Sequence, residues 1–164
     1  MLHKLLARID SVTPLLAARA HCDIPCKIYD PAPALIAALS VIRLIDIMEE
    51  NAAKEESLER TNTIARCVLR KEEEAEKVKH EVRIIWGDYF KAPQIEAHPK
   101  VHDIVHQIMM KASACKQTAK RSNGEELLEL VNQFAEVFWA TKEIKTTRKT
   151  APYPPALPAV YPDL

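Results

Sequence analysis

SNGEELLELVNQFAEVFW, residues 122–139, decides the fold class, because Leu127, Leu128, Val131, Phe134 and Phe138 recur at helical and not strand spacing. Ser122 to Glu125 has the pattern of a capping box, so the helix is expected to open there. Towards the N-terminus, Val101, Val105, Ile108 and Cys115 predict another helix starting near Pro99. A longer one runs from about Thr61 to Tyr89, with Ile64, Val68, Ala75, Val78, Val82 and Ile85 near one face. Its middle, RKEEEAEKVKHE at 70–81, reads as a solvated charged face. Asp30-Pro31 heads the first helix, whose stripe is Leu35, Ile36, Leu39, Ile42 and Ile45. Four amphipathic helices with no strand signal predict an all-α, four-helix bundle over residues 31–148.

Two aromatic groups, Trp86 to Phe90 and Phe138-Trp139, are expected to pack on each other inside that bundle. Beyond it, five of the eleven prolines fall in TAPYPPALPAVYPDL, so 149–164 reads as an extended, flexible tail. Lysine and arginine number 23, and aspartate and glutamate 23, which leaves no electrostatic footprint for nucleic acid. The two glycines argue against a phosphate-cradling loop. No apolar run approaches the roughly 20 residues of a membrane span, and a soluble protein is expected. Cys67 and Cys115 lie within helical patterns and read as small buried hydrophobes. His98, His102 and His106 recur every four residues, but surface or packing roles explain them better than a metal does.

The chemistry gathers ahead of the bundle, in HCDIPCKIYDP at 21–31. Residues 1–20 carry Lys4 and Arg8 before a short apolar stretch and end in Ala18-Arg19-Ala20, a small-residue site like those at which leaders are cut. The plainer alternative is an amphipathic N-terminal helix that stays attached. Cys22 and Cys26 have three readings: a disulfide, half a zinc site, or two thiolates of a more particular metal. Cleavage after Ala20 would free the amine of His21 as a new donor. That amine, the Cys22 amide nitrogen and the Cys22 sulfur can share one metal through two fused five-membered rings, with Cys26 completing a plane. Such a plane favours nickel or copper(II) over tetrahedral zinc, and the His21 imidazole can add an axial donor. Amine and thiol deprotonation cost about 2 kcal/mol each at neutral pH, against roughly 10–16 kcal/mol for known structural metal sites.

His21-Cys22-Asp23-x-Pro25-Cys26-x-x-Tyr29-Asp30-Pro31 resembles the metal hook of the nickel superoxide dismutases. Trp86-x-Asp88-Tyr89-Phe90-Lys91-x-Pro93 and Phe138-Trp139 are similar to that family's more distant landmarks. The resemblance covers roughly 21–145 and implies a leader at 1–20 removed by a peptidase, a nickel hook at 21–30, and a homohexamer with one nickel ion per subunit. It implies that His21, Cys22 and Cys26 hold the metal, while Tyr29 and Asp23 line the approach of superoxide. The implied reaction converts superoxide to dioxygen and hydrogen peroxide as the metal cycles between Ni(II) and Ni(III). A cytoplasmic location is expected, since the leader is weakly apolar and the site needs reduced thiols. The sequence departs from the family pattern at Lys27, commonly glycine, and at Ala37, where some members have a glutamate supporting the histidine. Losing residues 1–20 would leave 20 basic against 22 acidic groups, so attraction of superoxide would have to be local, with Lys27 as the candidate. The rival readings are a non-catalytic nickel or copper carrier using the same hook, and a structural oligomer with Cys22 and Cys26 paired.

Overall fold

The structure is a computed structural model, and it describes residues 27–164. The leader at 1–20 and the hook residues His21, Cys22, Asp23 and Cys26 lie outside the described residues. Four long helices and one short one follow: α1 (Ala32–Ala52), α2 (Leu58–Ile84), α3 (Ala92–Ala97), α4 (Val101–Gln117) and α5 (Arg121–Ala140). A π-helical turn, Ile85–Tyr89, extends α2. In the bundle α1 packs on α2 and α5, and α4 packs on the same two helices. This is the helical bundle that the periodicity predicts.

Local chemistry explains where the helices start. The Asp30 carboxylate accepts from the Ala32 amide at 2.7 Å, satisfying one of the orphan donors of α1. Ser57 does the same for Arg60 at 3.0 Å, so α2 begins three residues before the expected Thr61. The capping box expected at Ser122 is not used: α5 opens at Arg121 with no side-chain cap. Within its first turn lies Gly124, needed for close approach, since a Cβ there would stand 2.7 Å from Cγ1 of Ile42 on α1.

The core is continuous from α1 to α5. Ala34, Ala37, Ala38, Val41, Ile42 and Ile45 are buried on α1, Ile108 and Cys115 on α4, and Leu127, Phe134 and Phe138 on α5. Cys67 and Cys115 are buried free thiols, as their helical setting suggests. The expected stripes shift in places: Ile36 and Val68 are exposed, and Cys67 and Lys71 take the inward positions on α2. Lys71 corrects the reading of 70–81 as a wholly solvated face. Its Nζ is buried and donates to the carbonyls of Cys115, Lys116 (2.9 Å) and Thr118 (2.8 Å). A cation there satisfies the open carbonyls that end α4 and complements its dipole.

The C-terminal segment is not the flexible tail its prolines suggest. Strands β1 (Thr146–Thr150) and β2 (Pro158–Pro162) pair antiparallel, with Arg148 opposite Val160. Pro158 and Pro162 occupy the terminal pairs of the ladder, so their missing donors fall at its ends. Burial of Ala151, Ala159 and Val160 against the bundle supplies what the composition conceals. The buried Asn132 of α5 behaves like a further strand towards β2, donating to Pro158 O at 3.0 Å and accepting from Val160 N at 2.9 Å. Arg148 forks across α5 to Glu129 (2.6 Å) and Glu136 (2.7 Å), which hold the guanidinium charged and drive its pKa upward.

Candidate metal centre

The chain reaches the bundle through Lys27 to Asp30. Lys27 is exposed and left-handed, with φ 60°, the conformation that glycine adopts without cost. The position at which the related hook commonly has glycine is therefore one where the backbone turns the way glycine prefers. Ile28 is exposed. Tyr29 is half-buried, its ring 5.8 Å from that of Tyr89 in a tilted arrangement.

Tyr89 is held from several sides. Its ring lies 5.4 Å from Phe90 and 5.0 Å from Phe138, and Phe90 continues to Phe134 at 5.8 Å. The expected meeting of the two aromatic groups is thus observed. The Tyr89 hydroxyl stands 2.6 Å from Thr141 Oγ1. Since Thr141 gives its own proton to Phe138 O at 2.6 Å, Tyr89 is the donor in that pair. The Nζ of Lys142 sits 4.8 Å from the Tyr89 ring centre and 5.1 Å from that of Phe138, a cation over two π faces.

The π-helical turn puts Tyr89 in this place. Phe90 N bonds back to Ile85 O at 3.3 Å, the five-residue step that inserts one extra residue into the last turn. Gly87 in that turn has open space where a Cβ would go, so neither contact nor left-handed backbone demands a glycine. Lys91 closes the turn by donating to Gly87 O at 2.9 Å. Thr141 and Lys142 escaped the sequence reading, although they stand just past the end of the helix that carries Phe138-Trp139, and a polar pair there is the available signal.

Within the histidine series, His102 has a packing role. Nδ1 of His102 accepts from the Trp86 indole at 3.0 Å, the rings meeting edge-on. Among the described residues no group of three or more His, Cys, Asp or Glu is placed to hold a metal ion. Ala37 is fully buried in the core, so α1 offers no polar support from that position. The donor types concentrated at His21, Cys22 and Cys26, an imidazole, two thiols and an amine if His21 is terminal, suit a nickel ion. No helix among the described residues is long and apolar enough to cross a membrane.

Comparison with known proteins identifies the family. Residues 16–142 match the family model of nickel-containing superoxide dismutase. The Ni superoxide dismutase of Streptomyces seoulensis is 36% identical over 130 residues, covering 79% of this chain and 94% of that protein. The enzyme of Streptomyces coelicolor gives the same figures. Among solved structures, native nickel superoxide dismutase superposes with a TM-score of 0.65 at 36% identity, over 74% of this chain and 99% of that one. A Ni-containing superoxide dismutase with ligation corresponding to the oxidised state gives 0.66 at 36% identity, over 75% and 99%. With its hook motif, its helical bundle and a match over most of its length, the chain belongs to the nickel-containing superoxide dismutases, enzymes that use nickel to dismutate superoxide.

Proposed function

We propose that the chain becomes active when a peptidase cuts after Ala20, making His21 the N-terminus, and that His21, Cys22 and Cys26 then hold one nickel ion per subunit. What carries this reading is the motif itself: two thiols and a histidine at 21–26, immediately ahead of a Tyr29 seated on the aromatic cluster. Bound nickel, alternating between Ni(II) and Ni(III), supplies the electron exchange by which two superoxides and two protons become dioxygen and hydrogen peroxide. The chain's residues bind and admit.

The His21 amine, the Cys22 amide nitrogen and both thiolates supply the donors, with the imidazole of His21 as a further one. Tyr29 and Asp23 shape the approach. Tyr89 fixes the ring of Tyr29 from behind, because its own hydroxyl is committed to Thr141. Lys27, two residues before Tyr29, and Lys142, over the Tyr89 ring, supply local positive charge in a chain that loses net charge when the leader is removed. Assembly as a homohexamer and a cytoplasmic location complete the proposal.

Intact-mass analysis of the natively expressed protein tests it. The metal-loaded form should begin at His21, and a metal-loaded form that retains Ala20 sinks the amine-ligand mechanism. Superoxide consumption by the processed, nickel-loaded chain separates an enzyme from a carrier, since exchangeable nickel without turnover would establish the carrier.

A further inference from the structure

The C-terminal hairpin lies beyond the end of the family match at residue 142. The matched structures are covered to 99% by about three quarters of this chain, so the hairpin is an addition to the shared bundle. It is firmly tied to α5, through the paired hydrogen bonds of Asn132 and the forked ion pairs of Arg148. Its other flank faces the start of α1. Asp30, Pro31 and Leu35 share one narrow cleft with Trp139, Tyr161 and Pro162, and Pro31 is buried there.

Asp30 and Pro31 are the residues through which the hook joins the bundle. Pro31 O accepts from the amides of Ala34 (3.0 Å) and Leu35 (3.1 Å), and Asp30 accepts from Ala32. On one side of this junction Tyr29 rests on Tyr89, and the hairpin closes the cleft beside Pro31. We propose that the hairpin is a positioning element for the metal hook: it braces the first turn of α1 and thereby fixes the base from which the ligands extend. Only a few peptide units separate Asp30 from Cys26, so play at the base passes to the ligands with little loss. This inference rests on the proposed function for its metal, but its structural half does not.

Three variants and two readouts test it. Tyr161→Ala removes one wall of the cleft, and a chain ending at Lys145 removes the hairpin altogether. Ile108→Val on α4 serves as a control for general loosening, because Ile108 is a fully buried core residue that does not line the cleft. In the metal-free protein, amide exchange at Ala32, Ala34 and Leu35 should rise at least fivefold in Tyr161→Ala and in the shortened chain, with α4 amides unchanged. First-turn exchange equal to wild type, or rising only in step with α4, overturns the brace. In the processed, nickel-loaded protein, the same variants should release nickel to a chelator several-fold faster and broaden the Ni(III) paramagnetic spectrum, whereas Ile108→Val should do neither. Faster exchange with unchanged release and spectrum overturns the link to the hook. If the wild-type processed chain takes up no nickel, the functional reading and the link to the metal both fall, and the exchange data still decide whether the hairpin braces α1.

Discussion

Lys27 combines a charge with a left-handed backbone, and the two can be separated by substitution. Lys27→Gln keeps the conformational cost and removes the charge, while Lys27→Gly removes both. The left-handed conformation costs an L-residue about 1–2 kcal/mol, partly offset in any comparison by the greater freedom of glycine in the unfolded chain. If the charge guides superoxide, both variants should slow turnover by about two- to threefold and flatten its salt dependence. If only Lys27→Gly changes the rate, backbone geometry and not charge is what matters. Lys71 is a different kind of lysine, since its ammonium satisfies three carbonyls at the end of α4. Burial lowers its pKa, yet the three acceptors give the proton a role. Lys71→Met should leave those carbonyls unpaired and cost about 2–4 kcal/mol in urea unfolding of the metal-free protein. A loss under about 0.5 kcal/mol, the range of ordinary surface substitutions, would mean that water replaces the lysine.

Among the elements, the contact between α1 and α5 depends on the missing side chain of Gly124. Alanine there gains helix propensity of about 1 kcal/mol but drives a methyl into Cγ1 of Ile42, and overpacking costs about 1–3 kcal/mol. Gly124→Ala is therefore expected to destabilise by about 1 kcal/mol, and in an Ile42→Ala background, which removes Cγ1, the same change should cost less than it does alone. Thermal unfolding of the single and double variants measures it, and additivity of the two changes would show that the contact is relaxed. The π-helical turn shows the same dependence on partners. Its extra residue is stabilised by what Tyr89 and Phe90 meet on α5, and periodicity along α2 alone continues straight through it.

For the molecule as a whole, Cys115 reports on global stability. Burial raises its thiol pKa from 9.0 to about 11, with Lys71 and Lys111 pulling it back and Glu126 pushing it further up. A folded pKa above the unfolded one means that the stabilisation is fully present below pH 9 and is lost as pH rises through about 11. Lys71, with its lowered pKa, works in the opposite direction, so the difference between wild type and Cys115→Ala isolates the thiol. Wild type should lose stability between pH 9 and 11 more steeply than Cys115→Ala, as read from urea midpoints of the metal-free protein. Equal slopes would show that the thiol is solvated. Alkylation of Cys115 at pH 8 should proceed at the rate of global unfolding for the same reason.

The helical bundle and the identity of the candidate ligands follow from local sequence alone. Leu127, Val131, Phe134 and Phe138 must share a face at helical spacing whatever lies opposite, and the donors at His21, Cys22 and Cys26 are adjacent in the chain and need no fold to bring them near. Roles that depend on distant partners come from the packed fold. Lys71 is buried because the end of α4, more than forty residues on, presents three bare carbonyls to it. Tyr89 becomes a hydrogen-bond donor because Thr141 has already spent its proton. The prolines of the C-terminal segment spell an extended chain locally, and they form a strand because Asn132, Arg148 and Thr146–Thr150 offer it partners. Local propensity fixes what a residue does with its neighbours in sequence. Burial, capping and strand pairing are settled by what the fold places across from it.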